Sequence, residues 1–183
     1  MNKTIALLDA NVLYPAPVRD ILLYIASEGG FEPKWTSAIH EEWVRNLLKN
    51  RPKLNKTSLE KAISAMNLAF PEADVNDYGE LIDALELPDK DDRHVLAAAL
   101  YSGANFLLTF NLKDFPSKSI LKYPVKVIHP DDFIVQILSE DTALVKSAFK
   151  KQVLNLKNPK KTKEEVLEIL MKCGLKKAAE LLQ

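Results

Sequence analysis

Residues 4–13 read TIALLDANVL. The run from Thr4 to Leu8 is short, apolar and ends abruptly at Asp9, the pattern of a buried strand that carries a carboxylate at its end. Such a carboxylate is costly unless its charge is hydrogen-bonded or neutralised. Two further segments share the arrangement. Residues 87–100, LPDKDDRHVLAAAL, set Asp89, Asp91 and Asp92 before an apolar run, and residues 104–115, ANFLLTFNLKDF, set Asp114 after one. Several carboxylates meeting at one place call for a hard divalent cation, Mg²⁺ or Mn²⁺. That points to metal-assisted phosphodiester chemistry.

Working outward, Asn105–Phe110 and Val125–Ile128 read as further strands, and Lys34–Thr36 as a brief one. Helical patterns lie between them. One spans Val18–Ser27, after a turn at Tyr14–Pro17 and before the stop at Gly29-Gly30. A second runs from an N-capping Ser37 to about Asn50, and a third from a capping box of Thr57 and Glu60 to about Phe70. A fourth is capped by Asp89 to Asp91 and ends at Gly103, and a fifth runs from Pro130 to about Leu138. Leu81–Leu87 fits either strand or helix. Strands alternating with helices predict an α/β fold of three layers, with a central parallel sheet covered on both faces. In such sheets the ligand-binding groups gather at the carboxyl ends of the strands. Asp9, Asn111 and Asp114 fall there.

The chain has 183 residues and no net charge, but the charge is unevenly spread. Residues 146–183 hold ten lysines and four glutamates, whereas residues 71–92 hold nine acids and one base. An acidic region of that kind repels nucleic acid unless cations neutralise part of it. Residues 141–183 read as a helical, lysine-rich extension to a domain at 1–140, too small to fold alone. A hinge is expected at Asn158–Lys161, then a capping box of Thr162 and Glu165, with Gly174 as a breaker. The single cysteine, Cys173, excludes an intramolecular disulfide framework and a cysteine-based zinc site. No apolar run approaches the roughly 18 residues of a membrane span, and the apolar run at the N-terminus, MNKTIALLDA, is too short for a signal peptide. A cytoplasmic protein is expected.

A helical wheel separates the acids at 91–101. Asp92 falls in the middle of the arc of Val95, Leu96, Ala99 and Leu100, whereas His94 falls almost opposite, turned away from the acids. Asp89 reads as a cap that also supports the site. For Glu41 and Glu42 the wheel does not decide, because they flank a broad apolar arc on opposite sides. Thr109, Asn111 and Asp114 form a T-x-N-x-x-D arrangement whose polar side chains can hydrogen-bond a ligand carboxylate.

Together LLDANVL, WTSAIHEEWVRNLL, PDKDDRHVLAAAL and LLTFNLKDF resemble, in order and spacing, the PIN domain of VapC-type toxins and RNA-processing nucleases. The resemblance covers roughly residues 4–138, and residues 157–182 resemble the helical C-terminal extension of one bacterial subgroup. It implies a metal-binding and catalytic set of Asp9, Glu42, Asp92 and Asp114. Glu42 is favoured because the family's acid there precedes a bulky apolar residue, here Trp43. Asn11, Thr109 and Asn111 match the family's supporting polar positions.

The implied activity is Mg²⁺-dependent (or Mn²⁺-dependent) hydrolysis of RNA, leaving 3′-hydroxyl and 5′-phosphate ends. The implied partners are RNA, an antitoxin protein and a second copy of the chain, with no membrane. Arg93 and Lys113 lie nearest the acids and are the first candidates for phosphate contacts, followed by Arg19, Arg45, Lys49 and Arg51. A housekeeping RNA-processing role and a catalytically silent scaffold are the alternatives to a toxin. A haloacid-dehalogenase-like phosphatase is disfavoured, because Asn11 stands where that family needs its second aspartate.

Overall fold

A computed structural model describes residues 3–183; Met1 and Asn2, with which the expected first domain begins, lie outside the described residues. Four parallel strands form the sheet: β1 (Ile5–Leu8), β2 (Glu32–Lys34), β3 (Phe106–Leu108) and β4 (Lys126–Ile128), in the order β2-β1-β3-β4. Ala6, Leu7 and Leu8 of β1 are wholly buried. A central parallel strand is covered on both faces, so its sequence is continuously apolar rather than alternating. The chain steps outward from β1 to β2, then returns across β1 to reach β3 and β4. The carboxyl ends of β1 and β3 therefore flank the point where the winding direction reverses, the usual place for a ligand crevice.

Around the sheet lie α1 (Ala10–Leu13), α2 (Ala16–Ser27), α3 (Ser37–Asn50), α4 (Lys56–Ala69), α5 (Gly79–Ile82), α6 (Arg93–Tyr101), α7 (Ser117–Ile120) and α8 (Pro130–Glu140). A 3-10 turn at Leu112–Asp114 follows β3. The C-terminal helices are α9 (Thr142–Asn155), α10 (Lys163–Lys172) and α11 (Lys176–Leu181). None of the described helices is long and apolar enough to cross a membrane.

Several expected boundaries move, each for a local reason. Helix α2 starts at Ala16 rather than Val18, because Pro17 is tolerated in a first turn that needs no donor there. The strand expected at Lys34–Thr36 is Glu32–Lys34; its Pro33 is acceptable because β2 is an edge. Thr36, not Ser37, caps α3 by accepting from Ile39 N at 3.1 Å. Asn55, not Thr57, caps α4, with Oδ1 accepting from Thr57 N at 2.8 Å. Of Leu81–Leu87, Leu81 and Ile82 end the single helical turn α5 and the rest is turn and loop. Asp89 Oδ1 accepts from Asp91 N in a turn before α6, and Asp92 is the residue at the cap. Gly103 ends α6 with φ +66°, a conformation that favours glycine. The Thr162–Glu165 capping box is present in both directions.

The extension is built into the same core. Helix α9 lies along α2, where Gln152 Nε2 donates to Pro17 O at 2.9 Å and Lys151 pairs with Glu28. Helix α11 lies along α8, and the buried Asp131 carboxylate accepts from Ala178 N at 2.9 Å and Lys177 N at 3.1 Å. Charge-assisted bonds of that kind contribute roughly 1.5–3 kcal/mol each. Val145, Leu170 and Leu182 share one apolar cluster with Leu7 and Leu107.

Candidate active site

The geometry of the site starts from Asp9, whose backbone N donates to Leu108 O at 3.1 Å where β1 and β3 end. Its side chain is buried, 5% exposed. Asp9 Oδ1 accepts from Ala10 N at 2.6 Å, and Oδ2 accepts from Asn11 Nδ2 at 2.5 Å and Thr109 Oγ1 at 2.7 Å. Asn11 Nδ2 also donates to Thr109 Oγ1 at 2.9 Å, and Asn11 Oδ1 accepts from Phe110 N at 2.9 Å. This lattice holds one carboxylate between two strand ends. Asn111 joins it through its backbone, donating to Thr109 Oγ1 at 3.0 Å.

Glu42 acts on Asp9, and Asp9, Asp114, Asp89 and Glu42 act on Asp92, through their charges. Burial pushes the Asp9 carboxyl up to about 6; the bonds from Thr109, Ala10 and Asn11 hold it down, and Glu42 raises it further. Asp92 is pushed to about 7, first by burial and then by the charges of Asp9, Asp114, Asp89 and Glu42. The Asp92 side chain makes no cap bond to its own helix, which leaves it free toward the cluster. Of the two glutamates on α3, Glu42 is half-buried and bears on Asp9 and Asp92, whereas Glu41 is exposed.

Among the described residues, no three acid, histidine or cysteine side chains close around a single point in the manner of a formed metal centre. The acids share a field rather than a coordination sphere. The donor set is nevertheless all oxygen and strongly anionic, with two carboxyls whose ionised forms are disfavoured. A hard divalent cation relieves that arrangement.

His94 corrects the wheel. Its Nε2 lies 3.8 Å from Glu42 Oε2, so it faces an acid rather than turning away. His94 stands in the first turn of α6, which begins at Arg93. In a first turn the Cα–Cβ bonds tilt toward the helix N-terminus, the end at which the acids gather. His94 Nδ1 and Arg93 Nε are buried without a hydrogen-bond partner. The other two histidines serve the fold: His40 Nδ1 accepts from Trp43 Nε1 at 2.9 Å, and His129 Nδ1 accepts from Asp131 N at 3.1 Å.

Among the expected phosphate contacts, Arg19 is a correction. Its side chain is 12% exposed, with Nη1 donating to Leu13 O at 3.0 Å and the guanidinium 4.9 Å from the Trp43 ring centre. It is a packing residue, not a rim residue. Arg45, Lys49, Arg51 and Lys113 are exposed and Arg93 is half-buried.

The structure defines an α/β protein whose four-stranded parallel sheet carries Asp9 where its winding reverses, and this chain belongs to the PIN domain family, whose model matches residues 6–113. A model of the VapC50 C-terminal domain matches residues 130–183. A segment of 61 residues is 46% identical to a Mycobacterium tuberculosis (strain ATCC 25618 / H37Rv) protein named "Putative ribonuclease VapC50". That segment is 33% of this chain and 36% of the relative, so the match spans about a third of the relative's length. No solved structure matches the chain.

Proposed function

We propose that the protein is a Mg²⁺- or Mn²⁺-dependent endoribonuclease and the toxin of a toxin–antitoxin pair. The observation that carries the catalytic reading is Asp9, a buried carboxylate held by Thr109 where β1 and β3 end and the winding of the parallel sheet reverses; the raised Asp92 carboxyl, on which Asp9, Asp114, Asp89 and Glu42 act after burial, supports it. Asp9, Glu42, Asp92 and Asp114 would hold the cation. When bound, it would polarise a phosphoryl oxygen and make water a better nucleophile.

The remaining work falls to the chain's own groups. Thr109 and Asn11 fix the orientation of Asp9, and the backbone of Asn111 fixes Thr109. Asp89 adds its charge from the loop before α6. His94 lies beside Glu42. Arg93 and Lys113 contact phosphates of the substrate, offsetting the repulsion between RNA and the acids. The toxin assignment rests on the two family matches and on the VapC50 relative. It carries with it an antitoxin partner, self-association as a homodimer, and a division into a nuclease unit at 1–140 and an extension at 141–183.

Purified protein incubated with RNA tests the catalytic reading. Cleavage that needs Mg²⁺ or Mn²⁺, stops with a chelator and leaves 5′-phosphate ends is the expected result. Undiminished cleavage by Asp9→Asn and Asp92→Asn contradicts it. Growth arrest on expression, relieved by co-expressing a neighbouring reading frame, is the corresponding expectation for the toxin role.

A further inference from the structure

The connection from β3 to β4 carries charge of the opposite sign. Residues 113–126, KDFPSKSILKYPVK, hold four lysines and one acid, Asp114. They fold around a cavity of about 630 Å³ beside the outer edge of β4. Lys113 and Lys126 line it, with Phe115, Ile120, Tyr123 and Val125 as its less polar wall. Lys113 and Phe115 face this cavity, whereas Asp114 between them does not line it and bears on Asp92. The 3-10 turn thus carries Lys113 on the cavity wall next to Asp114, whose charge acts on Asp92.

The chemistry of the lining selects its occupant. Lys122, beside the lining but not part of it, lies 5.3 Å from the Tyr123 ring centre, and its contact with Glu86, at 3.8 Å between two exposed side chains, neutralises little of its charge. Leu121 at the rim is 83% exposed. Lysines interleaved with an aromatic ring along an open groove suit a single-stranded nucleic acid, whose phosphates track the cations and whose bases stack on the ring. An apolar peptide would leave the lysines without a role.

We propose that this cavity holds the nucleotides of single-stranded RNA that adjoin the cleavage point, with phosphates on Lys113 and Lys126 and a base against Tyr123. The inference rests on the ribonuclease reading for the identity of the substrate, but its test reads binding rather than turnover. A labelled poly(U) RNA of about 12 nucleotides, a length that one single-strand groove can track, is titrated in Mg²⁺ against the full chain carrying Asp9→Asn.

Adding Tyr123→Ala or Lys126→Glu weakens binding about five-fold or more, while Lys126→Arg retains it and all variants keep the parent's circular dichroism. Unchanged affinity in both Tyr123→Ala and Lys126→Glu overturns the proposal. Cleavage of the same RNA by the unmodified chain is scored separately. Cleavage without any effect of the cavity variants rejects only the subsite. An effect on binding without cleavage by the unmodified chain rejects only the nuclease reading.

Discussion

Thr109 Oγ1 donates to Asp9 Oδ2 across 2.7 Å, tying the end of β3 to the end of β1 with both residues buried. The bond opposes the burial that raises the Asp9 carboxyl to about 6. Thr109→Val keeps the shape and removes the donor, together with the acceptor used by Asn11 Nδ2 and Asn111 N. Loss of a hydrogen bond to a charged group is expected to cost about 1.5–3 kcal/mol. Urea denaturation at pH 8 reads it, and Thr109→Ser should recover most of the loss. A valine variant as stable as the parent would show that this bond does not support the Asp9 carboxylate.

Asp92 makes a prediction with a sign. Its carboxyl titrates at about 7 in the fold against an ordinary 3.8. A group that binds its proton more tightly when folded contributes stability at low pH and loses it as pH rises from about 4 to about 7. Asp92→Asn should therefore raise the melting temperature of chelator-treated protein at pH 8 and leave it nearly unchanged at pH 4. The same variant should lose most of the rise in melting temperature that Mn²⁺ gives the parent. An asparagine variant that melts below the parent at pH 8 without metal would remove Asp92 from the cluster.

Legibility in the sequence followed the range of the interactions. The strand ending at Asp9 could be read because a buried parallel strand is apolar on both faces. The wheel sets Asp92 on the narrow apolar arc of Val95, Leu96, Ala99 and Leu100; in the structure Asp92 is the half-buried residue at the cap of α6. Glu42 could not be separated from Glu41 by pattern, because Trp43, Val44 and Leu47 widen the buried arc of α3. The helix starts at Thr36 and Asn55 were misplaced where two capping residues lie close together and only one has the right backbone. The seating of α11 on Asp131 links residues 46 and 47 positions apart, beyond any local pattern.

His94 supplies an acid-side prediction. Burial lowers its pKa from the ordinary 6.5, against the pull of Glu42 and Asp91. A histidine that resists protonation in the fold destabilises it as pH falls below about 6.5. His94→Gln should flatten the loss of stability between about pH 7 and pH 5, seen as a smaller shift in the urea midpoint than the parent shows. If the two proteins lose stability in parallel, protonation of His94 is not opposed by its surroundings.

Gly174 connects the extension to the site. Its φ is +97°, and a Cβ there would lie 3.0 Å from Phe110 Cε1. Phe110 N in turn donates to Asn11 Oδ1, and Asn11 donates to Asp9. Two strains act together in Gly174→Ala: a left-handed backbone with a side chain, costing roughly 1–2 kcal/mol, and a ring that must yield by a few tenths of an ångström. The variant should melt below the parent. If the displaced ring moves the Phe110 backbone, it should also bind Mn²⁺ more weakly, although residue 174 touches none of the acids. Titration of the melting temperature against Mn²⁺ separates the two effects. A lower melting temperature with the parent's Mn²⁺ dependence would mean that the extension stabilises the fold without shaping the carboxylate cluster.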